Sequence, residues 1–158
     1  MLGAAGAEAG RKTPVAGDQR ILIARTPGQK GTLIAMLYRQ KSSTPGNKQT
    51  FSSPWRSVEF DDVREITQAI EFKESPPIPA QPTEQRLYEV SIPLNLLGLK
   101  VQPGTSIHGD IGYLRGTPGQ TSERVYWHNK VTGLIADVPG EALLDPARWG
   151  TIEFATGK

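Results

Sequence analysis

Two runs of strand length decide the fold class: RILIAR at Arg20–Arg25 and TLIAMLYR at Thr32–Arg39. Both runs are apolar and rich in residues that favour strands. The short segment between them contains Gly28 and Gly31 and is typical of a turn. Two such runs joined by a short glycine-containing loop predict a β-hairpin.

The rest of the chain repeats this pattern of short runs and turns. LYEVSI at Leu87–Ile92 alternates between apolar and polar residues, as in a strand with one covered face. Further strands are predicted within Ser106–Leu114, Arg124–His128 and Trp149–Phe154. The 17 glycines and 13 prolines are scattered along 158 residues, and the sequence contains no amphipathic helix of normal length. The pattern therefore predicts one all-β domain.

Composition excludes several function classes. The net charge of +2 is small, and lysine and arginine alternate with aspartate and glutamate, unlike the basic stripe of a nucleic-acid-binding domain. The chain has no cysteine, so disulfides, thiolate metal sites and cysteine nucleophiles are excluded. No apolar segment approaches the length of a membrane span. Residues Met1–Gly10 lack the basic start and apolar run of a signal peptide.

The sequence contains no enzyme motif. His108 and His128 are the only histidines, and their spacing matches no zinc motif. Neither a nucleophile elbow nor a phosphate-binding glycine loop occurs. Carboxylates such as Asp110 and Asp137 could form a glycosidase pair, but 16 acidic residues supply such pairs by chance. We therefore predict a protein without catalytic activity.

Asp110 stands out because it lies within a predicted strand, between Gly109 and Ile111. A carboxylate there has three explanations: it faces solvent, it accepts hydrogen bonds from backbone N–H groups, or it binds a hard cation such as calcium. The sequence leaves all three open.

The three tryptophans are candidates for sugar contact, because sugar rings stack on flat aromatic side chains. Trp127 follows Tyr126 and lies near Arg124 and Asn129, whereas Trp55 follows a proline in a loop-like region. For each tryptophan the alternative is packing in the core, since this residue type is highly buried on average.

The C-terminal half contains a series of short motifs in a recognisable order. They are YEVSIPLNLLG at Tyr88–Gly98, PG at Pro103–Gly104, HGDIG at His108–Gly112, LRG at Leu114–Gly116, YWHN at Tyr126–Asn129, TGL at Thr132–Leu134, DVP at Asp137–Pro139 and WG at Trp149–Gly150. Together with TPVAGDQR at Thr13–Arg20, this series resembles the family-9-like carbohydrate-binding domains of large bacterial extracellular proteins.

The resemblance implies an antiparallel β-sandwich, jelly-roll-like, with a sugar-binding role and no catalysis. It implies poly- or oligosaccharide as the partner, calcium as a structural ion, and an extracellular or periplasmic location. The sugar site predicted from it and from the aromatic residues comprises Trp55, Trp127, Arg115, Arg124 and Asn129, with Asp110 as the candidate calcium ligand. The domain is predicted to span residues 19–158, preceded by a flexible segment over residues 1–18.

Two further hypotheses stay open. The chain could be a structural or protein-interaction β-sandwich with no sugar site, because a fold does not imply a function. A hydrolase using Asp110 or Asp137 is the weaker alternative.

The resemblance begins in the loop around Thr13–Asp18 rather than at a strand. We therefore expect a domain that lacks its first strands and has an open apolar sheet surface.

Overall fold

The computed structural model describes residues 1–26, 31–40, 42, 46–75, 87–117, 120–131 and 143–155. Within these ranges the chain forms short antiparallel strands and two single-turn 3₁₀ helices, at Thr67–Ala69 and Pro146–Arg148. The strands are β1 Gln19–Arg25, β2 Leu33–Arg39, β3 Gln49–Ser52, β4 Ser57–Phe60, β5 Asp62–Glu65, β6 Glu71–Glu74, β7 Tyr88–Ser91, β8 Ser106–Gly109, β9 Gly112–Thr117, β10 Gln120–Tyr126 and β11 Gly150–Glu153. The predicted all-β, sandwich-like fold is confirmed. The parts of the chain described here include no helix with the length and apolarity that a membrane crossing requires.

The main sheet is assembled around the predicted hairpin. β1 pairs with β2 and β2 with β5, while β8 pairs with β11, all antiparallel. Leu2 forms antiparallel bridges to both Gln19 in β1 and Gly109 in β8. The sheet therefore has the order β11, β8, Leu2, β1, β2, β5, with the N-terminal residues at its centre.

Alternation along the strands gives this sheet two apolar faces. Leu37 belongs to the first core cluster, whereas its neighbours Met36 and Tyr38 pack on the second. The first cluster also contains Ile107 and is covered by Leu97 and Leu99, which lie in the turns after β7.

The second cluster is covered by the β3–β4 hairpin. Phe60 of β4 is completely buried and meets the ring of Tyr38 edge-on, with 5.3 Å between the ring centroids. Trp149, which precedes β11, is buried in the same cluster. The two covered faces make the main sheet the central layer of the described fold.

Hydrogen bonds cross the predicted boundary at residue 18. Leu2 and Gln19 exchange two backbone bonds of 2.9 Å, and the Gly3 amide donates to the carbonyl of His108 at 2.6 Å. Within the segment, the carboxylate of Asp18 accepts from the amides of Ala4 and Val15. Residues 1–18, predicted as a flexible segment apart from the sandwich, are therefore joined to the main sheet at Leu2 and Gly3.

A pH dependence follows from the position of the α-amino group of Met1, which donates to the carbonyl of Asp110 at 2.7 Å. Burial, and then the positive charge of Arg20, lower the pKa of this amino group from 8.0 to about 6, and Asp110 opposes the shift. Between these values the unfolded chain binds more protons than the folded chain, so stability should rise with pH. For a chain with a free amino group at Met1, we expect a gain of up to ~2–3 kcal/mol between pH 6 and 8. Urea unfolding across this interval measures it.

The matched control for this prediction is the same chain with an acetylated N-terminus, which cannot titrate there. Both chains keep His108 and His128, so any contribution from those side chains cancels. Equal pH slopes in the two chains would contradict the assignment.

Candidate functional site

Asp110 organises the corner where β8 passes into β9. Its side chain is completely buried. One carboxylate oxygen accepts from the amides of Ile111 and His128, both at 2.9 Å, and the other accepts from the amide of Asn129 at 2.8 Å. Of the three explanations left open by the sequence, the structure shows the hydrogen bonds to backbone donors.

These bonds fix the loop that follows β10. The side-chain oxygen of Asn129 accepts from the amide of Val131 at 2.9 Å, closing a local turn. The ammonium group of Lys130 donates to the carbonyl of Trp127 at 2.6 Å, and a ring nitrogen of His128 lies 3.1 Å from the carbonyl of Arg148. The loop over residues 127–131 is therefore tied to the protein through both its backbone and its side chains.

Trp127 is held on this loop with 54% of its surface exposed. Its amide donates to the carbonyl of Ile111 at 2.8 Å, which continues the β9–β10 pairing by one residue. The absence of a side chain at Gly150 makes room for the indole, because an ideal Cβ at that position would lie 2.8 Å from the indole Cζ3. The ring of His128 meets the indole at an interplanar angle of 60°. Trp127 is thus held in a defined position with part of its ring exposed to solvent.

Arg115 lies on the same exposed face of the β9–β10 hairpin. Its guanidinium is 3.4 Å from the carboxylate of Glu123 and 5.5 Å from the ring centroid of Tyr113. The register pairs Arg115 with Glu123 and Tyr113 with Val125. Tyr113 is thus a further exposed aromatic residue that the sequence did not single out. The available signal was its spacing of two residues from Arg115, because such residues lie on the same face of a strand.

Arg124 does not join this face. It was predicted as a polar partner for a sugar, but it is 6% exposed, whereas its neighbour Val125 is 53% exposed. Successive residues of a strand point to opposite sides, so Arg124 lies on the covered side of β10. There its charge contributes to lowering the pKa of the buried Arg20, after the larger effect of burial.

Trp55 and Trp149 occupy other parts of the molecule. Trp55 is 84% exposed at the turn between β3 and β4, where its amide donates to the hydroxyl of Ser53. Trp149 is 7% exposed and lies under the guanidinium of Arg11, at 5.5 Å from its ring. Among the described residues, the ring contacts of Trp127 include His128 and do not include either of these tryptophans. The structure does not place Trp55 and Trp127 together as one site.

Among the described residues, the predicted calcium site at Asp110 has few groups that could bind an ion. Three backbone amides already bind the carboxylate of Asp110, and no cluster of three or more potential metal ligands occurs within the described ranges. Calcium at Asp110 stays a prediction.

A shallow depression on the β6–β7 hairpin is lined by Glu71, Lys73, Glu89, Val90 and Ser91. None of the predicted sugar-contact residues lines it. We give it no functional role, because its walls are short exposed strands.

No protein-family model, curated protein or solved structure matches this chain. The resemblance to family-9-like carbohydrate-binding domains therefore rests on the sequence motifs alone.

Proposed function

We propose that this chain is a non-catalytic carbohydrate-binding domain and that Trp127 is its principal sugar contact. The observation that carries the proposal is the half-exposed indole of Trp127 on a loop fixed by the buried carboxylate of Asp110. An aromatic ring held in place loses little conformational freedom when a sugar ring stacks on it.

Polar groups on the same face of the hairpin, four residues along the strand from Trp127, support the same function. Sugar hydroxyls both donate and accept hydrogen bonds, and Arg115 and Glu123 offer a donor and an acceptor on the same hairpin. Asn129 is two residues from the indole, although its side-chain oxygen already accepts from Val131. Arg124 is left out of this site because it is buried.

The test compares the two exposed tryptophans. We expect Trp127→Ala to weaken binding to an insoluble polysaccharide by about fivefold to a hundredfold, since one aromatic stacking contact contributes ~1–3 kcal/mol. Trp55→Ala is the matched variant, because Trp55 is more exposed but lies at the turn of a different hairpin, β3–β4. Pull-down with cellulose, xylan and chitin, followed by fluorescence titration with their soluble oligosaccharides, measures both variants.

Circular dichroism should first show that both variants fold like the parent. If Trp55→Ala abolishes binding and Trp127→Ala does not, the sugar contact belongs to Trp55, the second predicted tryptophan. If no saccharide binds the parent chain, the proposed function is wrong.

A structural ion belongs to the same proposal. If calcium supports this domain, a chelator should lower its unfolding midpoint and added calcium should restore it. Equal midpoints with and without the chelator would remove calcium from the proposal.

A second candidate function is a protein-interaction β-sandwich. The observation that favours it is the exposure of aliphatic side chains beside Trp127, with Ile111 at 67%. Aliphatic side chains offer a sugar no flat ring, whereas contiguous exposed apolar surface is typical of protein interfaces. Binding of saccharides by the parent chain separates the two candidates.

A further inference from the structure

The β9–β10 hairpin has one face that is open along its length, called here the outer face. Six side chains form it: Ile111, Tyr113, Arg115, Glu123, Val125 and Trp127. Tyr88 of β7 stacks on Tyr113 and borders this face, with 6.4 Å between the ring centroids. Four large apolar side chains together on one sheet face are more than a soluble surface usually leaves uncovered.

In the register of this hairpin, the residues that lie opposite each other on β9 and β10 differ in type or in sign of charge. Directly opposite pairs are Arg115 with Glu123 and Tyr113 with Val125, and the bond from Trp127 to Ile111 adds the third pair. Every pair joins two different residues, and the charged pair joins opposite signs. The charges lie at one end of the hairpin and the apolar pairs at the other.

We propose that a second copy of this chain covers the outer face, related by a twofold axis parallel to the strands and midway between β9 and β10. Such an axis exchanges the two strands, so each residue lies over the copy of its own cross-strand partner. Arg115 then faces Glu123 of the second copy, and Glu123 faces the second Arg115. An interface of this kind is isologous and closes as a dimer.

Charge selects the second copy over other occupants. With the axis in this position, two arginines and two glutamates alternate at one end of the interface, and no like charges face each other across it. The apolar pairs pack in the same way, with Tyr113 over Val125. Sheets that pack face to face keep their strands within about 30° of each other, which the parallel axis allows.

This inference goes beyond the proposed function and does not depend on it. The two overlap at Trp127, Arg115 and Glu123, so a sugar bound there would compete with the second copy. Dimerisation is therefore measured without sugar, and its failure leaves the saccharide test intact.

The test is a charge exchange measured by sedimentation equilibrium over a concentration series. We expect the parent chain to form dimers, and both Arg115→Glu and Glu123→Arg to raise the dimer dissociation constant by at least about tenfold, because each brings four like charges together. The double exchange Arg115→Glu/Glu123→Arg should restore dimerisation to within about threefold of the parent. Lys100→Glu, outside the outer face, is the control for the change in net charge.

Cysteine crosslinking keeps the inference testable if a charge variant fails to fold. The chain has no cysteine, so a mixture of Tyr113→Cys copies and Val125→Cys copies has a clean background. A bismaleimide with a span of about 10 Å should join one copy of each kind, because sheets packed face to face lie about 10 Å apart. A monomeric parent chain, a dimer insensitive to both single charge changes, or a mixture that does not crosslink would each overturn the inference.

Discussion

Asp110→Ala should lower the free energy of unfolding by ~3–5 kcal/mol, because it removes a buried charged acceptor that three part-buried backbone amides share. A domain of this size has about 5–15 kcal/mol of stability, so the variant should lose a large share of it. The loop over residues 127–131 depends on two of these bonds, and saccharide binding at Trp127 should be lost as well. Urea unfolding followed by far-ultraviolet circular dichroism measures the change.

Asp110→Asn is the matched variant. Its amide keeps one acceptor oxygen, which can serve the amides of Ile111 and His128, but its NH₂ group faces the amide of Asn129. We expect an intermediate loss of ~1–3 kcal/mol. If Asp110 acted mainly as a calcium ligand, a chelator would destabilise the parent and leave both variants unchanged. Loss of less than about 0.5 kcal/mol in Asp110→Ala would contradict the hydrogen-bond assignment.

Alternation in the sequence predicted the strands well, because side-chain direction has a period of two residues wherever a strand forms. RILIAR and TLIAMLYR form β1 and β2, and LYEVSI contains β7. The run Ser106–Leu114 was predicted as one strand but is divided into β8 and β9 at Asp110. The carboxylate there accepts from the amides of His128 and Asn129, far along the chain, a tertiary feature without a local pattern.

Which side of a strand is covered was harder to predict. Arg124 was expected to be accessible because it is charged, but it is buried and Val125 is exposed. Local alternation predicts that the two residues face opposite sides of the strand, but it does not predict which of them faces the core. That choice depends on residues distant in sequence, here Arg20, whose pKa the nearby charge of Arg124 helps to lower after the larger effect of burial.

Side chains on β9 and β10 are exposed, including Tyr113 and Val125. A dimer across this surface predicts that Glu123→Arg rescues Arg115→Glu.

The central position of Leu2 could not be predicted from sequence. The three residues Met1–Gly3 are too few to show alternation. The partners of Leu2 include Gly109, more than 100 residues away along the chain. Glycines and alanines in residues 3–10 favour a loop on composition alone. A charged pair that follows this loop adds further bonds within residues 1–18.

That pair is Arg11 and Asp18, and Asp18→Ala should destabilise the chain by ~3–5 kcal/mol. Asp18 is completely buried and accepts from both terminal nitrogens of Arg11, at 2.5 and 2.6 Å. It also accepts from the amides of Ala4 and Val15. The variant leaves a largely buried guanidinium over Trp149 without its counter-charge. Thermal and urea unfolding measure the loss.

Arg11→Met separates the ion pair from the rest of the network, because it removes the charge and keeps an apolar stem of similar length. Asp18 then still binds the amides of Ala4 and Val15, so the loss should be smaller than in Asp18→Ala. The double variant should cost less than the sum of the two, since the second change removes the charge that the first left unpaired. A flexible segment over residues 1–18 makes the opposite prediction. In that case the free energy of unfolding of all three variants would lie within about 0.5 kcal/mol of that of the parent, because a side chain in a solvated segment contributes little to folding.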